Sequence, residues 1–127
     1  MLPYLTQVPW MPSPPLVPDQ SAIDVAHLRR MTLGETDLER EVLTMFKTQS
    51  GQMMARLAAL PADAAALAHT LKGSARAIGA FAVGDAAHAL EGALRQQSGI
   101  ADAVRVLTQA VADARGAVDI LLDEIQR

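Results

Sequence analysis

A chain of 127 residues is long enough for one domain with a buried core and too short for two ordinary ones. Half of it is hydrophobic, yet only Tyr4, Trp10, Phe46 and Phe81 are aromatic, so the core must be assembled from Ala, Leu, Val, Ile and Met, which favours helices. The lack of cysteine excludes disulfides, thiol nucleophiles and thiolate metal sites, and a formal net charge of −3 gives no reason to expect nucleic acid or an anionic membrane as partner.

The first segment is set apart by proline. Residues 1–18 hold six of the seven prolines, a density that forbids helix and central strand alike. An extended arm is predicted over 1–21. Tyr4, Leu5, Trp10 and Met11 make it more apolar than a solvated linker needs, so it is expected to pack on the surface of its own domain, with a docking peptide as the alternative. The start lacks the basic n-region of a signal peptide, and no apolar run approaches the roughly 20 residues of a spanning helix. Cytoplasm is the expected compartment.

The helical part is predicted over 22–127. Ser21 or Asp24 can cap a short helix carrying Ile23, Ala26, Leu28 and Met31, which ends near Gly34. His27 lies in it with no His, Asp or Glu at ligand spacing and reads as an ordinary surface or half-buried histidine. Thr36-Asp37-Leu38-Glu39 has the form of a capping box. It opens a long helix whose predicted inner stripe is Leu38, Val42, Met45, Phe46, Gln49, Met53 and Leu57. Met53 and Met54 read as gap fillers in a bundle core. Leu60-Pro61-Ala62-Asp63 then breaks the chain and starts a new helix, with proline tolerated and an acid favoured in its first turn.

Leu67, Leu71, Ala75 and Ile78 place one apolar stripe on that third long segment. At about 100° per residue His69 points roughly 200° from Leu67, toward solvent, with Lys72, Gly73 and Arg76 within about 60° of it. Gly73 is out of place by propensity, since glycine inside a helix costs about 0.5–1 kcal/mol relative to alanine. One turn past His69, it removes a side chain that would crowd the ring. An exposed ring nitrogen with a cleared neighbour and two nearby cations suits a phosphoryl group: the nitrogen carries it, Lys72 offsets its charge, and a partner reaches the phosphorus unhindered. Ala62, Ala65 and Ala66 fall within about 60° of His69 on the same wheel and give the partner flat, mildly apolar ground. Ser74 points nearer the core and reads as structural.

Gly79 is predicted to end this helix. The next has Val83, Ala86, Ala87, Leu90 and Leu94 as its stripe, up to a stop at Ser98-Gly99. His88, Glu91 and Arg95 share one side of it. In an antiparallel hairpin Glu91 and Arg95 are expected to reach the His69 site, while His88 reads as part of a solvated polar face. The last helix carries Ile100, Val104, Leu107, Val111, Ala114, Val118, Leu121 and Ile125 in alternating steps of four and three, enough to close a bundle. The predicted fold is therefore all-α, an antiparallel up-and-down four-helix bundle with a short additional N-terminal helix.

His69-Thr70-Leu71-Lys72-Gly73-Ser74-Ala75, followed by Ile78-Gly79-Ala80, resembles the signature of histidine-containing phosphotransfer (HPt) domains, and the helix pattern extends that resemblance from about Ile23 to Arg127. The resemblance implies a phosphorelay intermediate without kinase activity of its own. His69 would take a phosphoryl group from the aspartyl-phosphate of one receiver domain and pass it to the aspartate of another. The implied partners are response-regulator receiver domains and a hybrid sensor histidine kinase, with a monomeric chain and no cofactor, Mg²⁺ being expected on the receiver. The residues agree independently, as no nucleotide-binding glycine loop is present. An alternative, a non-catalytic helical interaction module, leaves unexplained why histidine, lysine and glycine share one solvent face. A metal-binding bundle would need ligands from facing helices, and no Glu-x-x-His is present.

Overall fold

A computed structural model describes residues 21–126; the arm predicted over 1–21 lies, except for Ser21, outside the described residues. Five helices and no strand occur among those residues: α1 (Val25–Met31), α2 (Thr36–Leu57), α3 (Ala64–Ile78), α4 (Phe81–Gln96) and α5 (Ile100–Ile125). Short connections force consecutive helices to run antiparallel. Helix α2 packs on α3 and α5, and α4 packs on the same two, which closes a four-helix ring with α1 lying against α3. The predicted all-α bundle with its extra helix is the fold observed.

The core is the inner face of that ring. Leu43, Leu57, Leu71, Leu90 and Leu107 are fully buried, as is Leu28 of α1, and Phe46 is the one buried aromatic among the described residues. Each such leucine contributes about 1.5–3 kcal/mol by leaving water, and truncating Leu71 to alanine would cost about 2–5 kcal/mol. On α5 the predicted heptad is the observed one, with Leu107, Val111, Ala114, Val118 and Leu121 inward.

Between α3 and α4 the packing is of another kind. The buried residues there are small: Ala64, Ala68 and Ala75 on α3, and Val83, Gly84, Ala86 and Ala87 on α4. Small side chains let two helix axes approach closely, and only Gly79 and Ala80 separate the two helices. Gly79 has φ +90°, and a Cβ there would stand 2.7 Å from the Asp24 carbonyl oxygen, so glycine is required twice over. The same place anchors α1: the Asp24 amide donates to the Gly79 carbonyl at 2.9 Å, and the His27 Nε2 lies 3.2 Å from the Ala77 carbonyl oxygen. The half-buried His27 ring also meets Phe81 edge-on at 5.1 Å.

Several expectations about helix ends and faces are decided or corrected by the structure. Asp24, not Ser21, caps α1 by accepting the His27 amide at 3.0 Å, and of the expected stripe Ile23 and Leu28 are buried while Ala26 and Met31 are exposed. The capping box does not form. Thr36 is already helical, Glu35 precedes it without a side-chain cap, and the buried Glu39 carboxylate turns instead to Arg29, 3.7 Å away on α1. Along α2 the buried residues are Glu39, Leu43, Phe46, Ser50 and Leu57, while Met45 and Gln49 face outward. Fit against α5 decides that face: Arg115 lies over Gly51, where a Cβ would sit 3.1 Å from its guanidinium, and donates to the Lys47 carbonyl. Ser50 is tolerated inside because its hydroxyl donates to that carbonyl as well, at 3.3 Å. Finally, Pro61 and Ala62 precede α3, which starts at Ala64 with Asp63 as its cap residue, paired to Arg56 at 2.9 Å.

Candidate functional site

The tight turn at Gly79-Ala80 sets the register of α3 against α4. Residues equally spaced on either side of Ala80 face each other, so His69 meets Glu91, Lys72 meets His88, and Arg76 lies on Gly84. The His69 Nδ1 stands 3.0 Å from Glu91 Oε2. Lys72 Nζ stands 2.6 Å from Glu91 Oε1 and 3.4 Å from His88 Nδ1, and His88 Nδ1 is itself 4.0 Å from Glu91 Oε1.

Burial sorts these groups into two layers. The side chains of Lys72 and Glu91 are only 14% and 13% exposed, whereas that of His69 is 70% exposed. A sunken ion pair thus supports an exposed imidazole. Lys72 depresses the Glu91 carboxyl below its ordinary value, burial opposes this to a lesser degree, and His69 adds to the lowering. Oε1 is shielded from solvent and meets the ammonium as a close ion pair without hydrogen-bond alignment.

The chemistry of the imidazole follows from its partner. An ionised carboxylate only accepts, so Nδ1 of His69 carries the hydrogen and donates it to Glu91. The lone pair is left on Nε2 at the solvent-exposed end of the ring. Gly73 is exposed, and a Cβ on it would meet nothing within 4 Å. Neither backbone nor packing therefore demands glycine there, and the space one turn beyond the ring is open. Ala65 and Ala66 are exposed on the same helix, while Ala62, predicted on the helix wheel, sits exposed on the turn before it.

The structure brings Glu91 to the His69 ring, and the other charged residues singled out from the sequence lie as follows. Lys72 was expected on the solvent face but is drawn down between the helices. Arg76 is exposed, yet its stem crosses Gly84, where a Cβ would come within 2.9 Å of its Cγ. Arg95 bends back beside Gly92, its Nη2 being 3.7 Å from a Cβ built there, and does not join the imidazole. The residue overlooked is His88. Its signal was legible, since it mirrors Lys72 about Ala80.

Taken together, fold and site define a small helical bundle that displays an oriented, unobstructed histidine on one helix. The family model described as Hpt domain matches residues 41–127, from within α2 through the end of α5. The chain belongs to the Hpt domain family, whose members serve phosphotransfer in two-component phosphorelays and work with receiver domains and kinases. No curated protein matches the chain. Among the described residues no helix is long and apolar enough to cross a membrane, and no group of three or more His, Cys, Asp or Glu is placed to hold a metal ion.

Proposed function

We propose that this chain is a phosphorelay intermediate in which His69 accepts a phosphoryl group from a receiver aspartyl-phosphate and passes it to the aspartate of a second receiver. The observation that carries the reading is the 3.0 Å contact between His69 Nδ1 and Glu91, which leaves Nε2 as the nucleophile. In the forward step the Nε2 lone pair attacks phosphorus, the bond from phosphorus to the acyl oxygen breaks, and the receiver carboxylate leaves with the electron pair. Nδ1 keeps its hydrogen, so the phosphorylated ring is cationic and Glu91 sits against that charge. Lys72, neutralised by Glu91 beforehand, is then the nearest cation for the phosphoryl oxygens. Transfer to the second receiver reverses these changes, and no proton need leave the ring.

Docking falls to the ground around the ring. Ala62, Ala65, Ala66 and Gly73 offer a low surface to a receiver face, with Arg76 at its far edge. Any Mg²⁺ needed for the aspartyl chemistry would come with the receiver. The reading extends to a monomeric cytoplasmic protein without kinase activity, served by a hybrid sensor histidine kinase, with 22–127 as the phosphotransfer unit and the proline-rich arm outside it.

Incubation with a receiver domain carrying aspartyl phosphate tests this directly. Label is expected on His69 alone and should be acid-labile. Label that is acid-stable, or that survives His69→Gln, overturns the assignment.

A further inference from the structure

His88 is not part of the family's HPt-like motif as read in this sequence, yet it touches the ion pair beneath the proposed phospho-acceptor. We propose that His88 is a positioning residue for phosphotransfer, its neutral ring pinning the Lys72 ammonium onto Glu91, so that protonation of His88 loosens the site. The proposal rests on the phosphorelay reading above and adds a residue and a pH dependence to it.

The geometry supports it from three sides. An ammonium only donates, so at 3.4 Å from Lys72 Nζ the His88 Nδ1 must be the acceptor, with the ring hydrogen on Nε2. Lys72 is thereby held between a carboxylate on one side and an imidazole on the other, both contributed by α4. His88 itself is 61% exposed, so its ring stands in solvent while the pair it touches stays sunken.

Protonation inverts each of these contacts. A charged ring cannot accept from Lys72, repels it, and competes for Glu91 Oε1 from its present 4.0 Å. A second cation on Glu91 also draws negative charge away from the hydrogen bond that orients His69. The other charged groups on α4 and on the helices packed against it have partners or positions of their own. From α3 these are His69, through Glu91, and Arg76, which crosses Gly84; from α4 itself, Asp85 lies exposed one turn earlier. On α5, the other helix packed against α4, Asp102 pairs with Arg105 at 3.3 Å and Asp113 is held by Gln109 at 2.8 Å.

The test compares His88→Ala, which removes the acceptor, with His88→Asn, whose amide oxygen can take the place of Nδ1 but cannot be protonated in this range. Single-turnover transfer from a phosphorylated receiver is measured at about pH 8 and about pH 5.5, spanning the range in which imidazoles titrate. At the higher pH, His88→Ala is expected to be roughly three- to tenfold slower than wild type and His88→Asn to recover most of that loss. On acidification the wild type should lose roughly three- to tenfold more than His88→Asn, the part due to His69 being common to both. A second measurement stands apart from transfer: the Lys72 ammonium proton signal in nitrogen-resolved NMR should be slowed in exchange in the wild type and His88→Asn, and lost in His88→Ala. If alanine and asparagine behave alike at both pH values, or if the ammonium signal ignores His88→Ala, the proposal is wrong. Should His69 take no phosphate at all, the phosphorelay reading fails by itself and the ammonium signal alone judges the contact.

Discussion

Replacing Glu91 tests the site at its centre, because this carboxylate accepts from His69 and pairs with Lys72 at 3.0 and 2.6 Å. Glu91→Gln keeps an oxygen for the His69 Nδ1 hydrogen but removes the charge. A hydrogen bond to a charged group is worth about 1.5–3 kcal/mol and a neutral one about 0.5–1.5 kcal/mol. The difference, about 1–1.5 kcal/mol, corresponds to roughly a five- to tenfold slower transfer if it is felt in the transition state. Glu91→Ala removes the acceptor altogether and frees the ring to exchange tautomers, so roughly a ten- to hundredfold loss is expected. Stability should change less than transfer, since an unpaired Lys72 can extend its stem toward solvent. The pH dependence has a definite sign. Because the folded carboxyl is held below its ordinary value of 4.5, the unfolded chain takes up this proton first on acidification. The stability owed to ionised Glu91 is therefore complete above that ordinary value and is lost as pH falls through the lower folded one. Single-turnover transfer rates and thermal melts of the three proteins, with melts repeated across the acid range, check both effects. Wild-type transfer by well-folded Glu91→Ala would refute the claim that this carboxylate sets the reactive nitrogen.

Other substitutions separate chemistry from architecture. Gly73→Gln should leave the melting temperature nearly unchanged, since a Cβ at Gly73 meets nothing within 4 Å, while receiver titration shows weakened docking and slower transfer; Gly73→Ala should gain up to about 1 kcal/mol in a denaturant melt. Lys72→Ala should slow transfer roughly ten- to hundredfold and, because it strands a carboxylate only 13% exposed, should cost about 1–3 kcal/mol in stability, a loss that Lys72→Ala combined with Glu91→Gln should largely restore in a double-mutant cycle. Gly79→Ala should destabilise by about 1–3 kcal/mol from the positive φ alone, and more from the 2.7 Å approach to Asp24, with amide exchange rising first in α1.

What the sequence determined by itself is whatever depends on one helix at a time. The apolar period of α5, the exposure of His69 opposite Leu71 and Ala75, the helix stop at Gly79 and the open space at Gly73 all follow from local spacing, because backbone geometry fixes which side chains share a face. Glu91 was within reach too, since a short turn makes α3 and α4 antiparallel neighbours. Tertiary structure alone decided the rest. The inner face of α2 was set by how Gly51 fits under Arg115 of α5 and how the Ser50 hydroxyl shares the Lys47 carbonyl with that arginine, a choice that hydropathy misreads because it scores small and polar residues as outward. Glu39 left its capping box for Arg29, a cation from a different helix. Lys72 was drawn off the solvent face toward a carboxylate on α4 that offers its ammonium a charge at 2.6 Å. His88 entered the site for the same reason: a helix wheel shows where a residue points, and only the register of the facing helix shows what it meets there.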